Sequence, residues 1–218
     1  MKKIILLPQN SLLFATTAAL LLGCAIAVLS MDKVQIALSI NAINSPFLDA
    51  FFKYITYFGS FTLIGPVLVV LVFVRFRFAL IAAASSLIGL ILVQIMKRLI
   101  WVDSPRPIVF FKDLTDIHYV EGVHLHSAHS FPSGHTAGAF ALFFALALFA
   151  KKPFYKMLFL TLGILVAYSR MYLSQHFLVD VSAGALLGIV SSIAAYCWFY
   201  SPKWMALKGL DGALWKRH

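Results

Sequence analysis

Hydrophobic positions in this chain fall in long unbroken runs, not in the alternation of a strand or the stripe of a surface helix. Uncharged stretches lie at 4–31, 54–74, 78–96, 122–150 (polar at its front end), 157–169 and 181–202. A helix needs about 20 such residues to cross the hydrocarbon core of a bilayer. The pattern predicts crossings near 11–30, 54–74, 78–98, 132–150, 154–172 and 178–200, that is, an all-α, integral membrane six-transmembrane-helix bundle. Lys156 shortens the fifth run, and a lysine at a helix end can snorkel to the interface. Short links leave no room for a soluble domain, so 1–218 reads as a single membrane-embedded domain.

Composition agrees: 61% of the 218 residues are hydrophobic and 12% charged, far outside the soluble range. The net charge of +10 suggests nucleic acid until its placement is read. With the N-terminus in the cytoplasm, the inside segments hold Lys2, Lys3, Arg75, Arg77, Lys151, Lys152, Lys156, Lys203, Lys208, Lys216 and Arg217. The outside segments hold Lys33, Lys53, Lys97, Arg98, Arg106, Lys112 and Arg170, together with seven of the eight acidic residues. This is the positive-inside bias. It places both termini in the cytoplasm of a bacterial-type inner membrane and makes a nucleic-acid partner unnecessary.

Cys24 and Cys197 both fall within predicted spans, which argues against a structural disulfide. Leu21-Leu22-Gly23-Cys24 resembles a lipoprotein cleavage site. The apolar run continues past the cysteine, however, and Pro8-Gln9-Asn10 interrupts the would-be signal core, so a retained first helix is expected. Ser45-Pro46 with Asp49 reads as a helix start inside an interfacial amphipathic link. Residues 101–131 form the longest connection, held extended by Ser104-Pro105 and Arg106-Pro107. A loop of that length is usually functional.

Three polar segments share the outer side: 97–107 (KRLIWVDSPRP), 131–136 (FPSGHT) and 169–180 (SRMYLSQHFLVD). Charged and histidine side chains beside lipid are costly and mark functional sites. His176 and Asp180 are four apart at the start of the sixth span, on one helical face. The aspartate can accept from one ring nitrogen and leave the other as a nucleophile. Arg170 can fork onto two phosphate oxygens. Pro132-Ser133-Gly134-His135 opens the fourth span, with amides suited to an anion, a glycine that permits close approach, a hydroxyl donor and a histidine able to protonate a leaving oxygen. Lys97 and Arg106 add cations at the end of the third span. Arg98 and Trp101 read as interfacial anchors. This equipment suits phosphoryl transfer.

Together these residues resemble the type 2 phosphatidic acid phosphatase superfamily. Its pattern is a lysine followed by arginine-proline, then PSGH, then serine-arginine, five residues, histidine, three residues and aspartate. The second and third elements match at 132–135 and 169–180. The first has eight residues between Lys97 and Arg106 where six are usual. The resemblance also takes in SPFLDAFF at 45–52 and the six-span layout. It implies that His176 attacks phosphorus to form a phosphohistidine, with Asp180 orienting it. His135 would protonate the leaving group and then activate water. Lys97, Arg106, Ser133, Gly134 and Arg170 would hold the phosphate oxygens. No metal or other cofactor is needed in that scheme.

His118, His124, His126 and His129 crowd the loop before PSGH. Without cysteine partners they read as a substrate-facing lid or a solvated loop more readily than as a metal site. The resemblance thus implies a membrane lipid phosphatase acting on a phosphomonoester or pyrophosphate at the outer side. Candidate substrates are undecaprenyl pyrophosphate, phosphatidate, phosphatidylglycerophosphate and lipid A. A phosphotransferase using the same site is the nearest alternative. A non-catalytic lipid transporter is the rival from another class, although neither repeats nor interrupted helices are visible in the sequence.

Overall fold

The structure, a computed structural model, describes residues 8–216. Lys2, Lys3 and Arg217, which the charge pattern places inside, lie outside the described residues, all of whose regular structure is helical. A 3-10 turn over Pro8–Asn10 leads into α1 (Ser11–Ser30), which runs without a break through Cys24. Then come α2 (Lys33–Asn41), α3 (Pro46–Ile55), α4 (Phe61–Val74), α5 (Phe76–Ile95) and the short α6 (Pro107–Phe110). Then follow α7 (Gly134–Phe149), α8 (Pro153–Tyr172), α9 (Leu178–Phe199), the short α10 (Pro202–Met205) and two 3-10 turns, Lys208–Asp211 and Leu214–Lys216.

Among the described residues four helices are long and apolar enough to cross a membrane: Pro8–Ser30, Phe76–Ile100, Pro153–Tyr172 and Leu178–Phe199. Two expected crossings differ from the sequence reading. The segment 54–74 is not one helix. Thr56–Gly59 is a 3-10 turn, and the two halves Pro46–Gly59 and Phe61–Val74 meet at a 53° bend, which together make at most a fifth span. The segment 132–150 contains only the 16-residue α7. At 1.5 Å per residue it is about 24 Å long, less than the roughly 30 Å hydrocarbon core. It begins at Gly134 because Ser133, not Pro132, is the cap: the Ser133 side chain accepts from the amide of Thr136. The predicted start at Ser45 does form, with its side chain accepting from Leu48 N.

α7 is apolar all round, and its buried residues occupy every face, as expected of a helix enclosed by others. It packs against α9, α8 and α5. The closest approach is to α9. A Cβ added at Gly184 would stand 2.5 Å from Ser133 O, and one at Gly188 would stand 2.5 Å from Ala137 O and 2.7 Å from Ala141 N. Small residues at this spacing let two backbones nearly touch. The outer helices instead expose large apolar side chains, such as Leu29 on α1, Val70 on α4, Leu90 on α5 and Val190 on α9. Such a surface suits lipid, not water.

Two cations at the far end from the polar segments are tied inward. Lys156 does not snorkel: it is 1% exposed and donates to Asn10 Oδ1 (2.7 Å) and Ala147 O (3.0 Å). A buried ammonium needs such acceptors because stripping its water without replacement is costly. Arg77 is fully buried, pairing with Asp211 and donating to Phe199 O and Trp204 O. Asp211 is held below the usual carboxylate range chiefly by the Arg77 hydrogen bond.

Candidate functional site

The ends of α5, α8 and the 3-10 turn at 56–59, with the starts of α7 and α9, meet at one end of the bundle. There they enclose a cavity of about 440 Å³ whose lining includes Lys97, Arg106, Gly134, His135, Arg170 and His176. These are six of the eight residues singled out from the sequence. The other two stand behind them. Ser133 is fully buried and committed to capping α7, also taking the hydroxyl of Thr136 at 2.9 Å. Asp180 is 2% exposed and lies behind the His176 ring.

The turn between α8 and α9 explains the spacing of the third segment. The carbonyl of Arg170 accepts from both Gln175 N (3.0 Å) and His176 N (3.1 Å), folding five residues back on the end of α8. The fold-back passes through Ser174 in the left-handed region at φ 51°, a conformation few non-glycine residues adopt. His176 is thereby presented beside Arg170. Its Nδ1 stands 3.5 Å from Asp180 Oδ2, and that oxygen also accepts from Phe177 N at 2.9 Å. The second and third segments are joined by Ser133 N donating to Asp180 O at 3.0 Å.

The cations are individually braced. Arg106, 8% exposed, donates from Nε to Ala128 O (3.0 Å) and from Nη1 to Gln175 Oε1 (2.9 Å). Arg170 donates from Nη1 to Thr56 Oγ1 at 2.7 Å, while its buried Nε has no partner among the described residues. Lys97 donates to His129 O at 2.7 Å. It sits in a π-helical turn, Met96–Ile100, which holds more residues per turn than an α turn. That turn takes up part of the longer stretch between Lys97 and Arg106.

Burial, followed by the field of Arg170, Arg106, Lys97 and His135, pushes the His176 imidazole well below the ordinary histidine range. His126 is lowered by burial and then by Arg106, His124, Arg170 and Lys97, so the loop wall feels the same field. Burial also lowers Arg106, with Asp180 opposing, though a guanidinium remains charged at any physiological pH.

The loop histidines have separate fates. His124 and His126 line the cavity. His118 Nε2 donates to the Asp49 carboxylate at 2.9 Å, and Tyr172 donates to the same group at 2.5 Å. The backbone carbonyl of His129, not its ring, receives Lys97. Among the described residues no three His, Cys, Asp or Glu side chains gather in a metal-binding group. Residues that the sequence did not flag also build the site: Thr56, Gln175 and Ser130.

A second, mainly apolar groove of about 350 Å³ opens between α4 and α5. It is lined by Phe61, Ile64, Leu68, Leu87 and Leu90 and shares Lys97 and Gly134 with the polar cavity.

An all-helical, membrane-type bundle with histidines and fixed cations lining one cavity, and an aspartate behind one of those histidines, is the class that this fold and site define. The sequence profile of the PAP2 superfamily matches residues 76–204, more than half of the chain, and the chain belongs to that family. It is 41% identical over 68 residues to the bacitracin transport permease protein BcrC of Bacillus licheniformis, a match spanning 31% of this chain and 32% of that protein. It is 28% identical over 191 residues to phosphatidylglycerophosphatase B of Bacillus subtilis, covering 78% and 86% of the two chains. The crystal structure of Aquifex aeolicus LpxE superposes with a TM-score of 0.66 at 27% identity, covering 78% of this chain and 98% of that one.

Proposed function

We propose that this protein is a metal-independent membrane lipid phosphatase that hydrolyses a phosphomonoester or pyrophosphate of a lipid through a phosphohistidine on His176. The observation that carries the reading is the pairing, on one cavity, of a buried arginine whose Nε has no partner among the described residues with a buried histidine whose basicity burial and the neighbouring cations depress. An unpaired buried guanidinium N–H is costly, and a phosphate oxygen satisfies it.

In this reading Lys97, Arg106 and Arg170 take the phosphate oxygens, with Gly134 allowing the start of α7 to approach and Ser133 holding that start in place. The Nε2 lone pair of His176 attacks phosphorus. The bond to the leaving oxygen breaks, its electron pair stays on that oxygen, and His135, protonated once the bound phosphate offsets the three cations, supplies the proton. The phosphorylated ring keeps Nδ1–H and is cationic, with Asp180 opposite. Neutral His135 then takes a proton from water, whose oxygen attacks phosphorus. The P–N pair returns to His176 and phosphate leaves. The three cations supply the charge neutralisation that a divalent ion supplies elsewhere.

The groove sharing Lys97 and Gly134 with the cavity suits the hydrocarbon part of the substrate. Undecaprenyl pyrophosphate, phosphatidate, phosphatidylglycerophosphate and lipid A remain the candidates, the third favoured by the name of the Bacillus subtilis relative. The Bacillus licheniformis relative carries a transport name. A transporter needs no buried His–Asp pair beside an arginine, so the site favours chemistry. We also read six crossings in one membrane-embedded domain, counting the bent pair as one and α7 as a short crossing that protein, not lipid, surrounds. The site then faces outward from an inner membrane and both termini face the cytoplasm.

Phosphate release by detergent-purified protein across those four lipids tests the reading. His176→Ala should cut the rate on the order of 10³-fold or more, because the other side chains at the site do not replace the nucleophile. Activity should persist in EDTA and fall with vanadate, whose five-coordinate form mimics the transition state. A His176→Ala variant that still turns over, or activity lost to EDTA and restored by a divalent ion, would sink the mechanism. Lipid movement without phosphate release would favour the transporter.

A further inference from the structure

Three consecutive residues outside the three polar segments hold those segments together. Ala128 O receives Arg106 Nε, His129 O receives Lys97 Nζ, and Ser130 Oγ donates to Asp180 Oδ2 at 2.5 Å. The third contact concerns the reacting pair directly. Ser130 is 1% exposed, and its Oγ also stands 3.5 Å from His176 Nδ1. The Nδ1 to Asp180 Oδ2 distance is 3.5 Å as well, at the outer limit of a hydrogen bond. The aspartate is therefore held firmly by Ser130 and by Phe177 N, and only loosely by the ring it faces.

We propose that Ser130 is a positioning residue that fixes the Asp180 carboxylate against His176, so that Nδ1–H meets a stationary acceptor when positive charge develops on the ring. The inference rests on the phosphohistidine reading above. A carboxylate turns broadly about its last torsion, and two donors on Oδ2 remove that freedom. Ser130 is itself immobile. Its amide donates to Ser104 O at 2.8 Å, and the next amide donates to Ser104 Oγ at 2.9 Å. The left-handed backbone at His129 (φ 54°) turns the segment so that carbonyl and hydroxyl serve different partners. The ordering is complete before substrate arrives, which is how positioned charge lowers a barrier without reorganisation.

The test uses the full chain in detergent with whichever panel lipid turns over fastest. Removing a hydrogen bond to a charged group should lower kcat about tenfold in Ser130→Ala, with KM and vanadate inhibition changed less than about twofold. Ser130→Thr, which keeps the O–H, should recover kcat to within about threefold of the parent chain. In an Asp180→Asn background Ser130→Ala should have no further effect, because the serine acts through the aspartate. Additive losses in the double variant, a raised KM at unchanged kcat, or an undiminished Ser130→Ala rate would each overturn the proposal. His176→Ala is assayed alongside, since turnover in that variant would mean that the phosphohistidine reading, not the role of Ser130, has failed.

Discussion

Under the proposed function His176 supplies an electron pair and must stay unprotonated, and burial and the neighbouring cations work to that end against the Asp180 carboxylate at 3.5 Å. His176 is 2% exposed, and Arg170, Arg106, Lys97 and His135 all disfavour a further positive charge. The free-base form therefore persists to a pH below the ordinary histidine value of about 6.5. The acidic limb that His176 contributes to kcat/KM, which reports the free enzyme, should lie below that pH. A substrate-independent limb above it would show that the cations do not act on the ring as described. His176, Asp180, Arg170, His135, Gly134, Arg106 and Lys97 could be named from sequence because the chemistry fixes their types and the turns fix their spacing. Ser130, Thr56 and Gln175 could not. Each works through a contact between residues far apart in the chain, such as Thr56 with Arg170 or Gln175 with Arg106, and a lone serine, threonine or glutamine carries no signal of its own.

At the level of elements, the site depends on how closely α9 lies against α7. Gly188 meets the backbone of Ala137 and Ala141, and a methyl group there forces the helices apart. Gly188→Ala should cost about 1–3 kcal/mol of overpacking, read as a lower unfolding midpoint in detergent. It should also lower activity, because the starts of the same two helices carry His135 and Asp180. Gly23→Ala on α1 is the control, since no described residue lies within 4 Å of the added methyl. An equal response at both positions would mean that the close approach is unimportant. The helices themselves were legible in the apolar runs, and the caps in Ser45-Pro46. The bend at 56–60 was not, because hydropathy averages over a break of five residues, two of which, Tyr57 and Phe58, are aromatic. The bend has a clear use. It brings Thr56 to Arg170 and leaves at Gly59 no room for a side chain against the carbonyl of His135. The shortness of α7 was hidden for the opposite reason: a helix wrapped in protein stays apolar whether or not it reaches both faces of a bilayer.

On the scale of the molecule, polar chemistry gathers at one end and the cations at 151–152 at the other, which sets up a direct check of orientation. Single cysteines at Asp113 and Lys152, in a chain lacking Cys24 and Cys197, should react with an impermeant reagent from opposite sides of sealed vesicles. Reaction of both from one side would contradict the outward-facing site. The meeting of the apolar groove with the polar cavity at Lys97 and Gly134 has a consequence for kinetics under the proposed function. A substrate that keeps its tail in the bilayer while its phosphate is cleaved is met by lateral diffusion, not from solution. The quantity that governs occupancy is then its mole fraction among the surrounding lipids. Diluting the membrane with inert lipid slows such an enzyme, whereas adding buffer leaves it unchanged: its concentrations are counted per area, in two dimensions.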